Sequence, residues 1–335
     1  MTRHPVLSAM RDHWVVFVGL VAVAGLIVAV NPSKLVRALA GADVVALLAM
    51  IPVVLLLYLF HGLAWWIALR GLKVPVGLPQ AVKVTLISQA FDLLPGGDLW
   101  KVPIVHSEDT TRLDAGVLAA TVVFDDLVYF LVLTLAMAPA AVTFPLVRAS
   151  LAIVLVPQLA IFVILLTPRI YDPLASRIAQ VRMFRGFASQ LVSLGPTFQR
   201  LVRVRIVVPI LAVDAVCSLL AIALYGLAVA AVHASGVSLG QVAFTYASGQ
   251  VLSGLTVLPS ALGAYEGMMT GLLAVQGVAP AAAAAAALLY RVVNDVLMAV
   301  IGVAVAFLAD RKLLRRRLQG VGWRQGAAAR FQPPG

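Results

Sequence analysis

Between Val257 and Gly267 the chain reads Val-Leu-Pro-Ser-Ala-Leu-Gly-Ala-Tyr-Glu-Gly, flanked on both sides by apolar runs that are short for a membrane crossing. A span needs roughly 20 apolar residues. In hydrocarbon every backbone N–H and C=O must find a partner, so a helix broken at depth persists only where protein surrounds it or where it lines a wet cavity. The Pro259 break, with Gly263 behind it, therefore predicts a turn lining a cavity. Glu266 beside it is an acid kept where such a group costs about 2.5–3.5 kcal/mol on insertion scales. Residues 78–105 repeat the pattern: two short apolar pieces flank Asp92-Leu-Leu-Pro-Gly-Gly-Asp98, with Pro95, Gly96 and Gly97 at the break and Lys101 just beyond. Both stretches read as re-entrant helical hairpins that enter and leave on one face. For the first, an interfacial helix followed by a loop is the rival reading.

Six other runs are long enough to cross: 14–30, 44–69, 114–141, 147–166, 206–232 and 280–308. The expected fold is thus an all-α polytopic membrane protein of six full transmembrane helices plus two re-entrant hairpins, one integral membrane domain over residues 1–335. Composition agrees, since 62% of residues are hydrophobic and 12% charged, against about 25% charged in soluble domains. The net charge of +11 does not point to nucleic acid, because the basic residues lie between apolar runs. Residues 1–30 have a basic start and an apolar run without a small-residue cleavage site, and read as a retained helix. Cys217 is the single cysteine, which excludes an intramolecular disulfide and a multi-cysteine metal site. No metal or cofactor is expected.

Two halves resemble each other. Leu78-Pro-Gln-Ala-Val matches Leu239-Gly-Gln-Val-Ala, the Pro95 break matches the Pro259 break, and Phe124-Asp-Asp-Leu matches Val293-Asn-Asp-Val. Repeat 1 covers about 42–141 and repeat 2 about 206–309. Three crossings separate the hairpins, so they should enter from opposite sides, an inverted repeat of the kind secondary transporters use. Charge counting supports that topology. With both termini in the cytoplasm, the inside segments hold 21 of the 25 Lys and Arg residues, including seven arginines in a loop at 167–205 and seven basic residues in a tail at 311–335. Positive charge concentrates on the cytoplasmic side of membrane proteins. Ile178, Val181, Phe184 and Leu191 among the loop arginines suggest an amphipathic helix on an anionic leaflet; a loop that only sets topology is equally compatible.

Several charges fall at depth. At about 1.5 Å of rise per residue, Asp125, Asp214 and Arg291 sit near the midplane of their spans. Arg291 and Asp295 are four apart and share a helix face, so they can pair structurally. Asp125, Asp126, Asp214 and Glu266 still need partners: a proton, a cation, or a cationic part of a substrate. Intramembrane ionisable groups are functional-site candidates by default. His61 reads as a satisfied interfacial histidine, Trp65-Trp66-Arg70 as an interfacial anchor, and the run from Ala281 to Ala287 as a smooth packing face.

Taken together, Leu94-Pro95-Gly96-Gly97-Asp98 with Lys101, Leu258-Pro259 with Gly263 and Glu266, Leu288-Leu289-Tyr290-Arg291, and Gly302 resemble the transmembrane, flippase-like domain of lysylphosphatidylglycerol synthases and its free-standing relatives. The resemblance covers about residues 40–310. Ser260-Ala261 stands where the family has a glycine-rich turn, Asp92 where it has asparagine, and Asp125-Asp126 where it has a glutamate-arginine pair. No stretch between the apolar runs is long enough for the synthases' aminoacyl-transferase domain, so lysyl-lipid synthesis is not expected.

The resemblance implies a lipid translocase of a bacterial cytoplasmic (inner) membrane, moving a charged headgroup through a cavity between the hairpins. The headgroup residues expected are Glu266, Arg291, Asp295, Asn294, Asp98, Lys101, Asp125, Asp126, Asp92 and Asp214. The partners expected are a phospholipid or an isoprenoid or hopanoid-type lipid, with protons, a second copy or a lipid-synthesis enzyme as further candidates. An intramembrane lipid-modifying enzyme is a weaker reading, because Asn294-Asp295 lacks the second acid of a metal-binding prenyltransferase motif and Ser253-Gly254 lacks a following histidine. A lipid-delivery scaffold is the third.

Overall fold

Three helix starts are fixed by side-chain caps. Asn31 Oδ1 accepts from the Ser33 amide at 3.2 Å and opens α1 (Pro32–Ala40). Asp43 Oδ1 accepts from the Val45 amide at 2.8 Å and opens α2 (Val44–Gly71). Asp114 Oδ1 accepts from the Gly116 amide at 2.7 Å and opens α5 (Ala115–Ala136). Each cap satisfies an amide the first helical turn leaves unpaired. A computed structural model describes residues 24–91, 97–108, 114–138, 145–180, 188–234, 236–254 and 263–309. Among these, every regular element is helical.

Between α2 and α5 lie the short helix α3 (Leu78–Gln89), a tight turn at Gly97–Trp100 and α4 (Lys101–Glu108). Then come α6 (Pro145–Leu166), α7 (Pro168–Gln180) and α8 (Ala188–Leu201). The second half runs through α9 (Val204–Ala231), α10 (Leu239–Gly254), α11 (Ala264–Val275) and α12 (Pro280–Arg291). After α12 the chain winds through a π-helical turn, Val292–Leu297, into α13 (Met298–Ala309).

Among the described residues, four helices can cross a bilayer by length and composition: α2, α5, α9 and the continuous α12 to α13 segment Pro280–Ala309. A fifth crossing is reached only if the bent pair Leu151–Leu166 and Pro168–Ile178, which turns through 93°, counts as one span. Four of the six expected spans are therefore present as such, and the run at 147–166 leads into a sharp bend at Pro168 instead of ending as a free-standing crossing. Most of the run at 14–30, and the tail at 311–335, lie outside the described residues. The outward faces are apolar: Val45, Leu48, Leu59, Leu219, Val300 and Phe307 are all exposed, as helices facing acyl chains should be. The chain is a multi-pass membrane protein.

Helices α2 and α9 pack along each other more extensively than any other pair. Around them the contacts run in parallel: α3 on α2 and α10 on α9, α4 on α5 and α11 on α12. The short helices also cross over, α3 resting on α13 and α10 on α5. Glycines make the α3 contacts close. A Cβ on Gly62 of α2 would lie 2.8 Å from Val82 Cα, and one on Gly302 of α13 would meet the Leu86 carbonyl oxygen and, at 3.0 Å, the Ala90 amide nitrogen. With no hydrophobic force between helices in lipid, such small-residue approaches provide the van der Waals contact.

The arginine-rich segment is more than a loop. Helix α8 packs on α5, and Phe198 is fully buried between Phe124 and Phe162, its ring 5.1 and 5.7 Å from theirs. Leu191 falls on α8 and Ile178 on α7, while Val181 and Phe184 lie outside the described residues. Phe198→Ala is expected to cost about 3–5 kcal/mol, measured by denaturing the purified protein in detergent. A cost under 1 kcal/mol would mean that α8 is not docked on the bundle.

Candidate functional site

Arg291 ends α12 where the π-helical turn begins, and it gathers two acids. Its Nε lies 3.0 Å from Glu266 Oε1 and 3.0 Å from Asp295 Oδ2. Glu266 is 1% exposed and Asp295 is also buried. The expected Arg291–Asp295 pair is present, but the glutamate that needed a partner shares the same arginine. Glu266 Oε2 also accepts from the Gly263 amide at 2.7 Å, capping α11 from its own first turn. Gly263 has φ +82°, a left-handed conformation that glycine adopts without Cβ strain. That geometry aims the start of α11, with its partial positive charge, at the ion pair. Asn294 Nδ2 donates to Asp295 Oδ1 at 2.7 Å, and the Tyr58 hydroxyl donates to the Asn294 carbonyl at 3.4 Å. The π-helical turn widens the helix here, and such turns are frequent at functional sites.

The first-half candidates form a second group. Lys101, 1% exposed, places Nζ 3.1 Å from Asp98 Oδ2 and 5.6 Å from the centre of the Trp65 ring. Asp126 on α5 is hydrogen-bonded to Asp98, and Asp125 and Asp126 are both electrostatic neighbours of Lys101. Asp214 on α9 is fully buried, with Asp125, Asp126 and Lys101 as electrostatic neighbours. The predicted site residues are thus brought together in two clusters rather than one: Glu266, Arg291, Asn294 and Asp295, then Asp98, Lys101, Asp125, Asp126 and Asp214. Asp92, Pro95, Gly96 and Pro259 lie outside the described residues, whereas Gly97 and Gly263 are placed, both at positive φ.

Between the clusters runs a band of tyrosines that periodicity alone could not reveal. Six of the chain's seven tyrosines converge: Tyr58, Tyr129, Tyr225, Tyr246, Tyr265 and Tyr290. The Tyr129 and Tyr246 hydroxyls are 3.3 Å apart, and the Tyr290 hydroxyl donates to that of Tyr246 at 3.2 Å. At one end the Arg291 guanidinium lies 5.5 Å over the Tyr265 ring. At the other His61 meets Tyr129 edge-on at 4.9 Å and has Lys101 and Asp98 as electrostatic neighbours. His61 is therefore part of the polar interior. Trp65 also differs from expectation: it is buried, donating to Thr121 Oγ1 at 3.0 Å, while Trp66 alone stacks under Arg70, 5.0 Å from its ring centre.

The profile of the family described as Lysylphosphatidylglycerol synthase TM region matches residues 16–302. No curated protein matches the chain. The matched range runs from the first apolar run through both polar clusters to Gly302, and on that match this chain belongs to the Lysylphosphatidylglycerol synthase TM region family.

Proposed function

We propose that the chain is a lipid translocase, a transporter rather than an enzyme, which carries a polar or charged headgroup past the Arg291 cluster while the tails stay in the bilayer. The observation that carries this reading is an arginine shared by two buried carboxylates at a π-helical turn inside an apolar bundle. A lone ion pair for packing would need one acid; here the second acid leaves the group net negative. Lys101 and Arg291 serve as the phosphate-facing cations, and Glu266, Asp295 and Asp98 as the acids that exchange partners with them. The parallel contacts, with α3 on α13 and α10 on α5, support two hairpin-bearing repeats of inverted topology. Rocking one repeat against the other would expose the site to each leaflet in turn.

The same reading places the chain in a bacterial inner membrane, both termini and the arginine segment in the cytoplasm. On α7, Ile170 and Leu174 are exposed beside Arg169 and Arg177, which suits contact with an anionic leaflet.

The test is headgroup accessibility. Fluorescent-headgroup phospholipids in proteoliposomes holding the full chain are quenched from outside, and the accessible fraction is followed with time. Glu266→Gln keeps the shape and the cap acceptor but removes a charge, and is expected to slow translocation at least tenfold, which corresponds to about 1.4 kcal/mol in the barrier. Wild-type rates in Glu266→Gln, with the protein folded, would remove the site from the mechanism.

A further inference from the structure

The headgroup reading leaves one buried group unused. Helices α5 and α9 pack on each other and carry Asp125 and Asp214, 3% and 0% exposed, close enough to be electrostatic neighbours. Asp125 Oδ1, both carboxylate oxygens of Asp214 and Ser218 Oγ, one turn after Asp214, are buried without any hydrogen-bond partner among the described residues. Buried polar atoms are nearly always paired, and leaving a hydrogen-bonding group unpaired in an apolar interior costs several kcal/mol. Four such oxygens from two packed helices mark a place where a donor belongs.

Charge counting says which donor. The charged and titratable neighbours of the pair are Lys101 from α4, Asp98 from the turn, Asp126 and Tyr129 from α5 and Cys217 from α9, with His61 of α2 next to Lys101 and Asp98. Lys101 is the one permanent cation in that set, and its ammonium is already held by Asp98 at 3.1 Å. Asp126 is hydrogen-bonded to Asp98, an arrangement in which two carboxyls share a proton. Asp125 and Asp214 remain, two buried carboxyls whose partnerless oxygens can only accept while both are ionised. A metal cation there would sit close to the Lys101 ammonium and be repelled by it. A proton would not: placed on either carboxyl, it supplies the missing O–H donor and removes one negative charge.

We propose that the Asp125–Asp214 pair between α5 and α9 is a proton-binding site, separate from the Arg291 cluster, at which the chain takes up and releases a proton as it works. The tyrosine band gives it a route to the other cluster. Tyr129 is an electrostatic neighbour of Asp214, and the hydroxyl series Tyr129, Tyr246, Tyr290 leads toward Arg291. Occupancy of the pair would then be felt at the headgroup site.

Two readouts on the full chain in proteoliposomes test this. The first is infrared difference spectroscopy of the protonated carboxyl C=O stretch as pH is varied. Wild type is expected to show a carboxyl band that titrates and shifts in D2O; Asp214→Asn and Asp125→Asn each remove it, while Glu266→Gln leaves it in place. Asp214→Glu, which keeps a carboxyl, is expected to shift the band and serves if the asparagine variants fail to fold. The second readout rests on the translocase reading: the ratio of headgroup flux with and without an imposed pH gradient is above unity in wild type and falls to unity in Asp214→Asn. The carboxyls of Asp98 and Asp126 contribute their own absorption, so the signal is the part of the wild-type band that the substitution removes; a spectrum unchanged in Asp214→Asn, or a removed part that does not respond to pH, overturns the proposal. So does loss of the band on adding Na+ at fixed pH, which would make the pair a metal-cation site. If no lipid moves at all, the translocase reading fails while the infrared titration still decides the proton site.

Discussion

Replacing Arg291 by alanine is expected to stop headgroup translocation and to cost about 3–5 kcal/mol of stability, the price of leaving a buried charge without its partner. The two losses have different causes. Stability falls because Glu266 and Asp295, both within 3.0 Å of the same Nε, are left facing each other in the bundle with no cation. Translocation stops because nothing remains to receive the anionic part of a headgroup. A compensated variant separates them: Arg291→Met with Glu266→Gln and Asp295→Asn removes all three charges together. Replacing a buried ionic group by neutral side chains of similar volume is often neutral or stabilising, so this variant should recover most of the denaturation midpoint in detergent. It should not recover headgroup flux. Full stability in Arg291→Ala alone would show that the arginine is not the buried counter-ion of both acids.

Gly302→Val is expected to be the most damaging substitution away from any charge. A Cβ at this position meets the Leu86 carbonyl oxygen, and the Ala90 amide nitrogen is 3.0 Å away. Both obstacles are main-chain atoms of α3 or its end, so no side chain can swing aside and α3 as a whole must retreat. Overpacking costs typically 1–3 kcal/mol when side chains can adjust, and a rigid helix puts this case at about 3 kcal/mol or above. Gly62→Val acts on the same helix about one turn earlier, where Val82 Cα stands 2.8 Å from the would-be Cβ. Because both variants displace one element, their effects should combine non-additively. The yield of monodisperse protein in detergent and its unfolding midpoint measure this; a Gly302→Val protein as stable as wild type would mean that α3 does not rest against α13.

Much of this interior is legible in the sequence, and the limits have physical causes. Spans such as 44–69 and 206–232 announce themselves because lipid demands a continuous apolar run, and α2 (Val44–Gly71) and α9 (Val204–Ala231) match them to within two residues at each end. Arg291 and Asp295 can be paired in advance because helical spacing fixes which side chains share a face. Asp98 and Lys101, three apart, follow the same rule across the tight turn. Glu266 is recognisable as a buried acid from its neighbours along the chain, but its use of the same arginine depends on how α11 lies against α12, which no local pattern encodes. The tyrosine band fails for the same reason. Tyr58 hydrogen-bonds to a carbonyl 236 positions away and Tyr129 to a hydroxyl 117 positions away, and each alone looks like an ordinary apolar residue with a polar tip. The π-helical turn at Val292–Leu297 is invisible because its residues have ordinary helical character. The bend after Leu166 escapes an apolar-run count for a simpler reason: Pro168 is polar-flanked, and a run that stops there looks like any span reaching water.

The crossed resting places of α3 and α10 have a bearing on biosynthesis. Helix α3 is made long before α13, its lasting neighbour, so during synthesis the Leu86 and Ala90 backbone lacks the surface that later covers it. Helix α10, by contrast, finds α5 already in place. The first half therefore matures late, and a ribosome halted before Gly302 should leave α3 accessible to a membrane-permeant label that the finished protein excludes. For the same reason, two separately expressed halves should be protease-sensitive alone and acquire resistance only when made together in one cell.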